Sequence, residues 1–232
     1  MTLLEYNSRK LAAYYRKHHE DAKRYGHQYT GIWRGYRASI FKQWIGQGKR
    51  ILDLGCRDGT LTRFYMQGNQ VIGVDIDPRA LSICSEQLGI QTLWCDVNKP
   101  LPFGPSSFDC VVAGEIIEHL FYPEIFLEEV ARVLRPYGIF IGSTPNTFRL
   151  KNRWKFLIGE EYNDKTHLHR FSFQGIKKLL EKHFVDVITL PCGGYLFGGG
   201  RTGIIPINPR TPKFIGKLFA KSILWNAKIL KK

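Results

Sequence analysis

No run of about eighteen apolar residues occurs anywhere in the chain, so no segment has the length and hydropathy of a helix that crosses a membrane. The first ten residues, Met1 to Lys10, lack the apolar stretch of a signal peptide, which makes a cytoplasmic location the expectation. There is no internal repeat, which excludes solenoids and propellers. The five cysteines (56, 84, 95, 110 and 192) contain no Cys-x-x-Cys pair, which speaks against a zinc knuckle or a redox motif. Three of them lie in or beside apolar strand-like runs, as buried free thiols in a reducing compartment would. No Gly-x-Gly-x-x-Gly fingerprint occurs where a dinucleotide pyrophosphate would need it, and no RNA-binding module is recognisable.

Acidic charge is scarce overall, and its distribution is uneven. The net charge is +14. Residues 1–50 hold 11 Lys and Arg against 3 acids, residues 51–148 hold 6 against 12, and residues 149–232 hold 17 against 5. An acidic centre is therefore flanked by two basic segments. Basic flanks draw anionic partners by long-range steering: a phosphorylated sugar or lipid, a peripheral anionic membrane surface, or RNA. A plain solvated surface is the simpler reading of the same charges.

The acidic centre carries the most informative pattern. Ile51-Leu-Asp53-Leu-Gly55-Cys56-Arg57-Asp58-Gly59 is a short apolar strand running into a glycine-containing turn. A second apolar strand ends on Asp75, 22 positions after Asp53. This is how an α/β sheet holds a nucleoside: the turn brings backbone close to the ligand, and the acid accepts from ribose hydroxyls. The spacing Gly-x-x-x-Gly places Arg57 where a dinucleotide site has its middle glycine, so a nucleoside without phosphates fits better.

These residues, with two later ones, resemble the class I S-adenosylmethionine-dependent methyltransferases over most of residues 48–190. The matching segments are Asp53 to Gly59, Val74-Asp75-Ile76-Asp77-Pro78, Trp94-Cys95-Asp96-Val97, and Phe108 to Glu115. The resemblance implies that S-adenosylmethionine is bound by Asp53, Gly55, Cys56, Arg57, Gly59, Asp75, Ile76, Asp96, Val97 and Glu115. Arg57 departs from the family's first motif. The implied architecture is a Rossmann-like, seven-stranded, mostly parallel sheet with helices on both faces. Residues 1–47 would form a helical segment over the cofactor pocket, and 48–232 the methyltransferase domain with a basic insertion at about 147–170.

Periodicity agrees with alternating strands and helices. Strands are expected at 50–54, 70–75, 91–95, 108–113, 138–143 and 184–190, and helices at 3–25, 60–67, 78–88, 123–134 and 172–182, with a second N-terminal helix between 26 and 48. Residues 191–203, rich in glycine, read as a loop. The segment 213–232 has two readings. As one helix it is amphipathic and suited to an anionic membrane surface. As a short helix near 212–220 and a strand near 221–229 it supplies the sheet's last strand.

Chemistry is expected just after the 108–113 strand, at Glu115-Ile-Ile-Glu118-His119, where a helix would put both carboxylates and the imidazole on one face. His119, supported by Glu118, is the expected general base for a hydroxyl acceptor. Ubiquinone-biosynthesis O-methyltransferases are similar in their Glu-x-x-Glu-His. Small-RNA 3′-end 2′-O-methyltransferases are similar there and in Ser143-Thr-Pro-Asn146 and His167-Leu-His169-Arg-Phe171. Bacterial methyltransferases of sugar and cell-surface glycan pathways carry the same signature. The resemblance implies a divalent metal (magnesium, manganese or zinc) held by Glu115, Glu118, His119 and His169; with no metal, Glu118 and His119 cap and orient the helix, and His119 acts as a general base or has neither role. His167 reads as a second base or a surface histidine. The acceptor is then a small-molecule, sugar- or lipid-linked hydroxyl, with RNA methylation and a catalytically inactive scaffold as alternatives. Residue types say nothing of oligomeric state.

Overall fold

A computed structural model of the protein describes residues 7–21, 25, 32–160, 166–194, 207 and 211–230. Two helices, α1 (Ser8–Asp21) and α2 (Ile32–Ile45), precede the sheet. Its strands are β1 (Arg50–Leu54), β2 (Gln70–Asp75), β3 (Gln91–Trp94), β4 (Phe108–Gly114), β5 (Leu134–Pro145), β6 (Val185–Cys192) and β7 (Ser222–Lys228). Between them lie α3 (Pro78–Leu88), α4 (Pro123–Val133), α5 (Leu150–Leu157), α6 (Phe173–Leu180) and α7 (Lys213–Phe219).

The order across the sheet is β3-β2-β1-β4-β5-β7-β6. All pairings are parallel except those of β7, which runs antiparallel between β5 and β6. The expected seven-stranded, mostly parallel α/β sheet is present. Central strands are apolar on both faces because helices cover both. Leu52, Leu54, Val111 and Ala113 pack towards α4 and α6, through Phe126, Leu127, Val130, Ile176 and Leu180. Their neighbours Ile51, Cys110 and Val112 pack on Phe41 and Ile45 of α2. Strand succession reverses between β1 and β4, and the crevice at the carboxyl ends there is where an open α/β sheet binds its ligand.

Three expectations need correction. Residues 60–67 do not form a helix but turns around one 3₁₀ turn, Thr62–Phe64. The hydroxyls of Thr62 and Tyr65 both bond Asp53 at the end of β1, and side chains tied in this way compete with helical geometry. Strand β5 begins at Leu134 rather than 138, with a register shift between the Phe108 and Cys110 pairings. The amphipathic single helix at 213–232 is overturned: α7 ends at Phe219 and β7 buries Ile223, Leu224, Trp225 and Ala227 in the sheet. Burial of a large aromatic and three aliphatic side chains outweighs a half-solvated helix face. The N-terminal helix expected at 3–25 is observed over Ser8–Asp21, its first residues lying outside the described ones. Of the loop 191–203, only 191–194 is described. No helix among the described residues is long and apolar enough to cross a membrane.

Candidate active site

The turn after β1 is shaped by its own packing. Gly55 has φ +74° and its N–H, with that of Cys56, donates to the Val74 carbonyl at 2.7 and 3.0 Å. A Cβ at Gly55 would lie 2.1 Å from Ile116 Cδ1, and one at Gly59 2.3 Å from Leu88 Cδ1. Both glycines are thus required by left-handed backbone and by side chains packed on the turn, a demand distinct from ligand approach. Cys56 is buried beside Cys84 and Leu81 of α3, and all five cysteines are buried free thiols. Asp53 lies beneath the turn, 3 % exposed, with Thr62 Oγ1 and Tyr65 OH both donating to Oδ2.

Asp75 ends β2 with each oxygen held by a backbone N–H, from Asp77 to Oδ1 and from Arg57 to Oδ2, both at 2.9 Å. Arg57 reaches this position at φ +51°, and its guanidinium turns away to Asp58 at 3.0 Å. Burial raises the Asp75 carboxyl above its ordinary value against those two donors. At the end of β3, Asp96 Oδ1 accepts from Asn98, and Ile76 lends its carbonyl to the Trp94 indole. Val97 and Ile76 are half-buried beside these acids. Two carboxylates at adjacent strand ends, each with acceptor capacity beyond the bonds described, suit the ribose hydroxyls and base amine of a nucleoside, so the residues present fit S-adenosylmethionine.

Helix α1 closes over this set. Ser8 Oγ donates to Asp96 Oδ2 at 2.7 Å. Further along, His19 Nδ1 meets Asp77 Oδ2 at 2.9 Å, and the Tyr25 hydroxyl donates to the same oxygen. Asp77 also caps α3, accepting from the N–H groups of Arg79 and Ala80. Burial alone would raise its carboxyl; the hydrogen bonds from His19 and Tyr25 outweigh that and hold it below its usual value.

Past β4 the chain does not continue as a helix. Glu115 stands at φ +60°, a left-handed conformation costly for any residue with a Cβ, and a single 3₁₀ turn follows at Ile117–His119. The two carboxylates therefore diverge. Glu115 Oε1 is bound by Arg37 of α2 at 2.8 Å, and Arg37 also donates to Ser143 Oγ at 3.2 Å. Glu118 turns inward, 1 % exposed, where Thr144 Oγ1 donates to its Oε2 at 2.9 Å. Its Oε1 has no hydrogen-bond partner and lies 3.8 Å from His119 Nε2. Burial, reinforced by the Glu115 charge, lifts the Glu118 carboxyl well above the usual carboxylate range.

The segment 166–169 completes the cluster. Leu168 and His169 donate their N–H groups to the Glu118 carbonyl at 2.8 and 3.0 Å. His119 Nδ1 lies 2.9 Å from the Thr166 carbonyl oxygen. That oxygen can only accept, so Nδ1 carries the proton and Nε2 of the neutral ring is the basic nitrogen. The His167 ring stands edge-on to His119 at 4.8 Å, and the Tyr15 ring of α1 stands edge-on to it at 5.9 Å. Glu118, His119 and His167 bring ligand atoms within 4.8 Å of one another. The expected four-residue set is not assembled: Glu115 is paired with Arg37, and His169 lies against the Phe171 ring. It is His167 whose ring stands against His119, while the ring of His169 lies against Phe171. Ser8, His19, Tyr25 and Arg37 had no signal in the sequence, being isolated polar residues 52 to 106 positions from the groups they bond, whereas Thr144 lies within the Ser143-Thr-Pro-Asn146 motif.

A nucleoside crevice at the β1/β4 switch point, with acids ending β2 and β3 and a seventh strand inserted antiparallel, defines the class I methyltransferase fold. Residues 52–142 match the family described as "Methyltransferase domain", so the chain carries a segment similar to that family. It is 34% identical over 122 residues to a ubiquinone biosynthesis O-methyltransferase of Nitrosococcus oceani, covering 50% of this chain and 51% of that one. The mitochondrial ubiquinone biosynthesis O-methyltransferase of Mus musculus is 28% identical over 123 residues, 49% of this chain and 33% of that one. The chain thus spans about half or less of the length of these curated relatives. Among solved structures, a SAM-dependent methyltransferase of Thermotoga maritima, described as a possible histamine N-methyltransferase, superposes with TM-score 0.67 at 15% identity, covering 95% and 97% of the two chains. The 1,6-didemethyltoxoflavin-N1-methyltransferase of Burkholderia thailandensis, with S-adenosylhomocysteine bound, gives 0.63 at 17%, covering 95% and 88%.

Proposed function

We propose that the protein transfers a methyl group from S-adenosylmethionine to a hydroxyl of a small-molecule, sugar- or lipid-linked acceptor, with His119 as the base. The observation that carries this is the His119 tautomer: Nδ1–H is committed to the Thr166 carbonyl, which makes Nε2 the basic nitrogen of the ring. The names of the curated relatives, ubiquinone biosynthesis O-methyltransferases, support oxygen as the atom methylated. The basic flanks favour an acceptor with anionic character.

S-adenosylmethionine supplies an electrophilic methyl carbon on a sulfonium. Asp75 and Asp96 orient the nucleoside half, and Tyr15, Ser8 and the rest of α1 keep water from the crevice. His119 Nε2 would take the hydroxyl proton as the O–CH3 bond forms and the sulfonium's S–CH3 bond breaks, with S-adenosylhomocysteine as the leaving group. Glu118 Oε1 lies 3.8 Å from this nitrogen and steadies the imidazolium once its own raised carboxyl has ionised.

A second reading rests on the partnerless Glu118 Oε1. A buried carboxylate oxygen without a donor is costly, and a divalent cation would relieve it. Glu118, His119 and His167 offer the mixed oxygen and nitrogen donors such a cation takes, and bound there it would lower the acceptor hydroxyl's pKa.

His119→Ala is expected to lower kcat by about a hundredfold or more while S-adenosylhomocysteine affinity by calorimetry stays within about twofold. Parallel loss of both would remove His119 from the chemistry. Manganese titration by electron spin resonance, on the wild type and Glu118→Gln, decides the second reading: saturable binding lost in the variant supports it, and equal spectra overturn it.

A further inference from the structure

Helix α5 is built inside out. At helical spacing Leu150, Trp154, Leu157 and Ile158 fall on one face, and that face is turned to solvent, with Trp154 65% and Leu157 79% exposed. The face turned inward instead holds Asn152, 5% exposed, whose amide donates to the Thr147 carbonyl at 2.8 Å. Arg153 flanks the apolar stripe on one side and Lys151 on the other, with Lys155 beyond it. α7 lies against α5 and adds Phe214, 73% exposed, between the exposed Lys213 and Lys217.

A contiguous apolar patch of this kind on a soluble domain signals an interaction surface. Its chemistry identifies the partner. Neither α5 nor α7 contains an acid, and the nearest described carboxylate, Glu160, is spent on Lys155 at 2.6 Å. Long cationic side chains flanking an aromatic and aliphatic ridge match the boundary of an anionic bilayer, where rings and aliphatics enter the acyl region and ammonium and guanidinium groups stay with the headgroups. We propose that α5 and α7 dock the protein on an anionic membrane surface.

The patch adjoins the catalytic cluster. α5 follows the carboxyl end of β5, and the Arg170 guanidinium lies over the Phe156 ring of α5 at 6.0 Å. Leu168, next to His167, is itself exposed. A docked protein therefore presents the His119 side of the site towards the lipid. The docking stands apart from the hydroxyl-acceptor reading, and only its catalytic consequence, delivery of a lipid-borne acceptor, rests on that reading.

The test is co-sedimentation of the full chain with vesicles of phosphatidylcholine alone and of phosphatidylcholine with phosphatidylglycerol. Binding is expected to the anionic vesicles and to weaken with salt. Trp154→Glu with Leu157→Glu, both at solvent-facing positions, is expected to lower the partition coefficient by about tenfold or more and to leave S-adenosylhomocysteine affinity unchanged. Lys151→Gln with Arg153→Gln should remove most of the preference for anionic lipid. Absence of wild-type binding, or equal binding by the Glu variant, overturns the proposal. So does a concentration-dependent dimer, seen by sedimentation velocity and lost in the Glu variant without vesicle binding, which would assign the face to a second copy of the chain. Methyl transfer enters none of these readouts, so failure of the acceptor reading is separable from failure of the docking.

Discussion

Asp53 makes the pH dependence of stability unusual in sign. Its carboxyl, ordinarily near 3.8, is pushed up to about 6 by burial, against the hydrogen bonds from Thr62 and Tyr65. The unfolded chain releases this proton near its ordinary value, whereas the folded protein holds it until about pH 6. In that interval the folded state binds more proton than the unfolded one, so stability falls as pH rises, with the full cost in place about a unit above the folded value. A displacement from 3.8 to about 6 corresponds to about 3 kcal/mol, or about 6–12 °C in Tm for a domain of this size. Asp53→Asn keeps the shape and cannot ionise, and the Thr62 and Tyr65 hydroxyls can each donate or accept. Urea unfolding of wild type and variant across pH 4 to 8 isolates the effect as a difference. The wild type is expected to lose about 3 kcal/mol relative to Asp53→Asn between about pH 4 and about pH 7. A difference that stays flat, or that grows in the wild type's favour, refutes the reasoning.

Asp77→Ala is expected to cost about 1–2 kcal/mol through the lost cap of α3 and to release α1, since His19 and Tyr25 bond the same carboxylate. Hydrogen exchange should quicken across Ser8–Asp21 while β4 and β5 stay protected; equal quickening everywhere would show a global effect only. Gly142→Ala places a Cβ 2.1 Å from Trp225 Cζ2 and 2.6 Å from the Ala113 carbonyl oxygen, where no flexible atom can give way. Its urea midpoint should fall by the equivalent of about 1–3 kcal/mol, and an unchanged midpoint would mean that β7 does not pack as described.

β1, β2 and β4 were readable because each is a short apolar run ended by a turn residue or an acid, the pattern of a doubly covered sheet. Asp75 followed from the same pattern, and Asp96 from the resemblance to the class I methyltransferases. Two local signals misled. Residues 60–67 have helical spacing, yet Thr62 and Tyr65 are captured by Asp53. Glu115, Glu118 and His119 share a face only if the chain is helical there, and the positive φ of Glu115 sends its carboxylate to Arg37. His19 and Ser8 acquire meaning only from the fold, because their partners are brought to them by strand order and by α1 crossing the crevice, and the fold decides between the two readings of His167 by setting its ring against His119.

The antiparallel insertion of β7 also sets a schedule for folding. Pairs such as Pro145–Ser222 and Ile139–Lys228 join residues roughly eighty positions apart, whereas β1, β2 and β4 meet across much shorter loops. The parallel half can form while β5 still shows an unpaired edge and a hollow at Gly142 that only Trp225 fills. Until β7 enters, that edge is open to any other strand. The burial of one indole therefore marks the moment at which the sheet stops being a template for aggregation and becomes a finished wall.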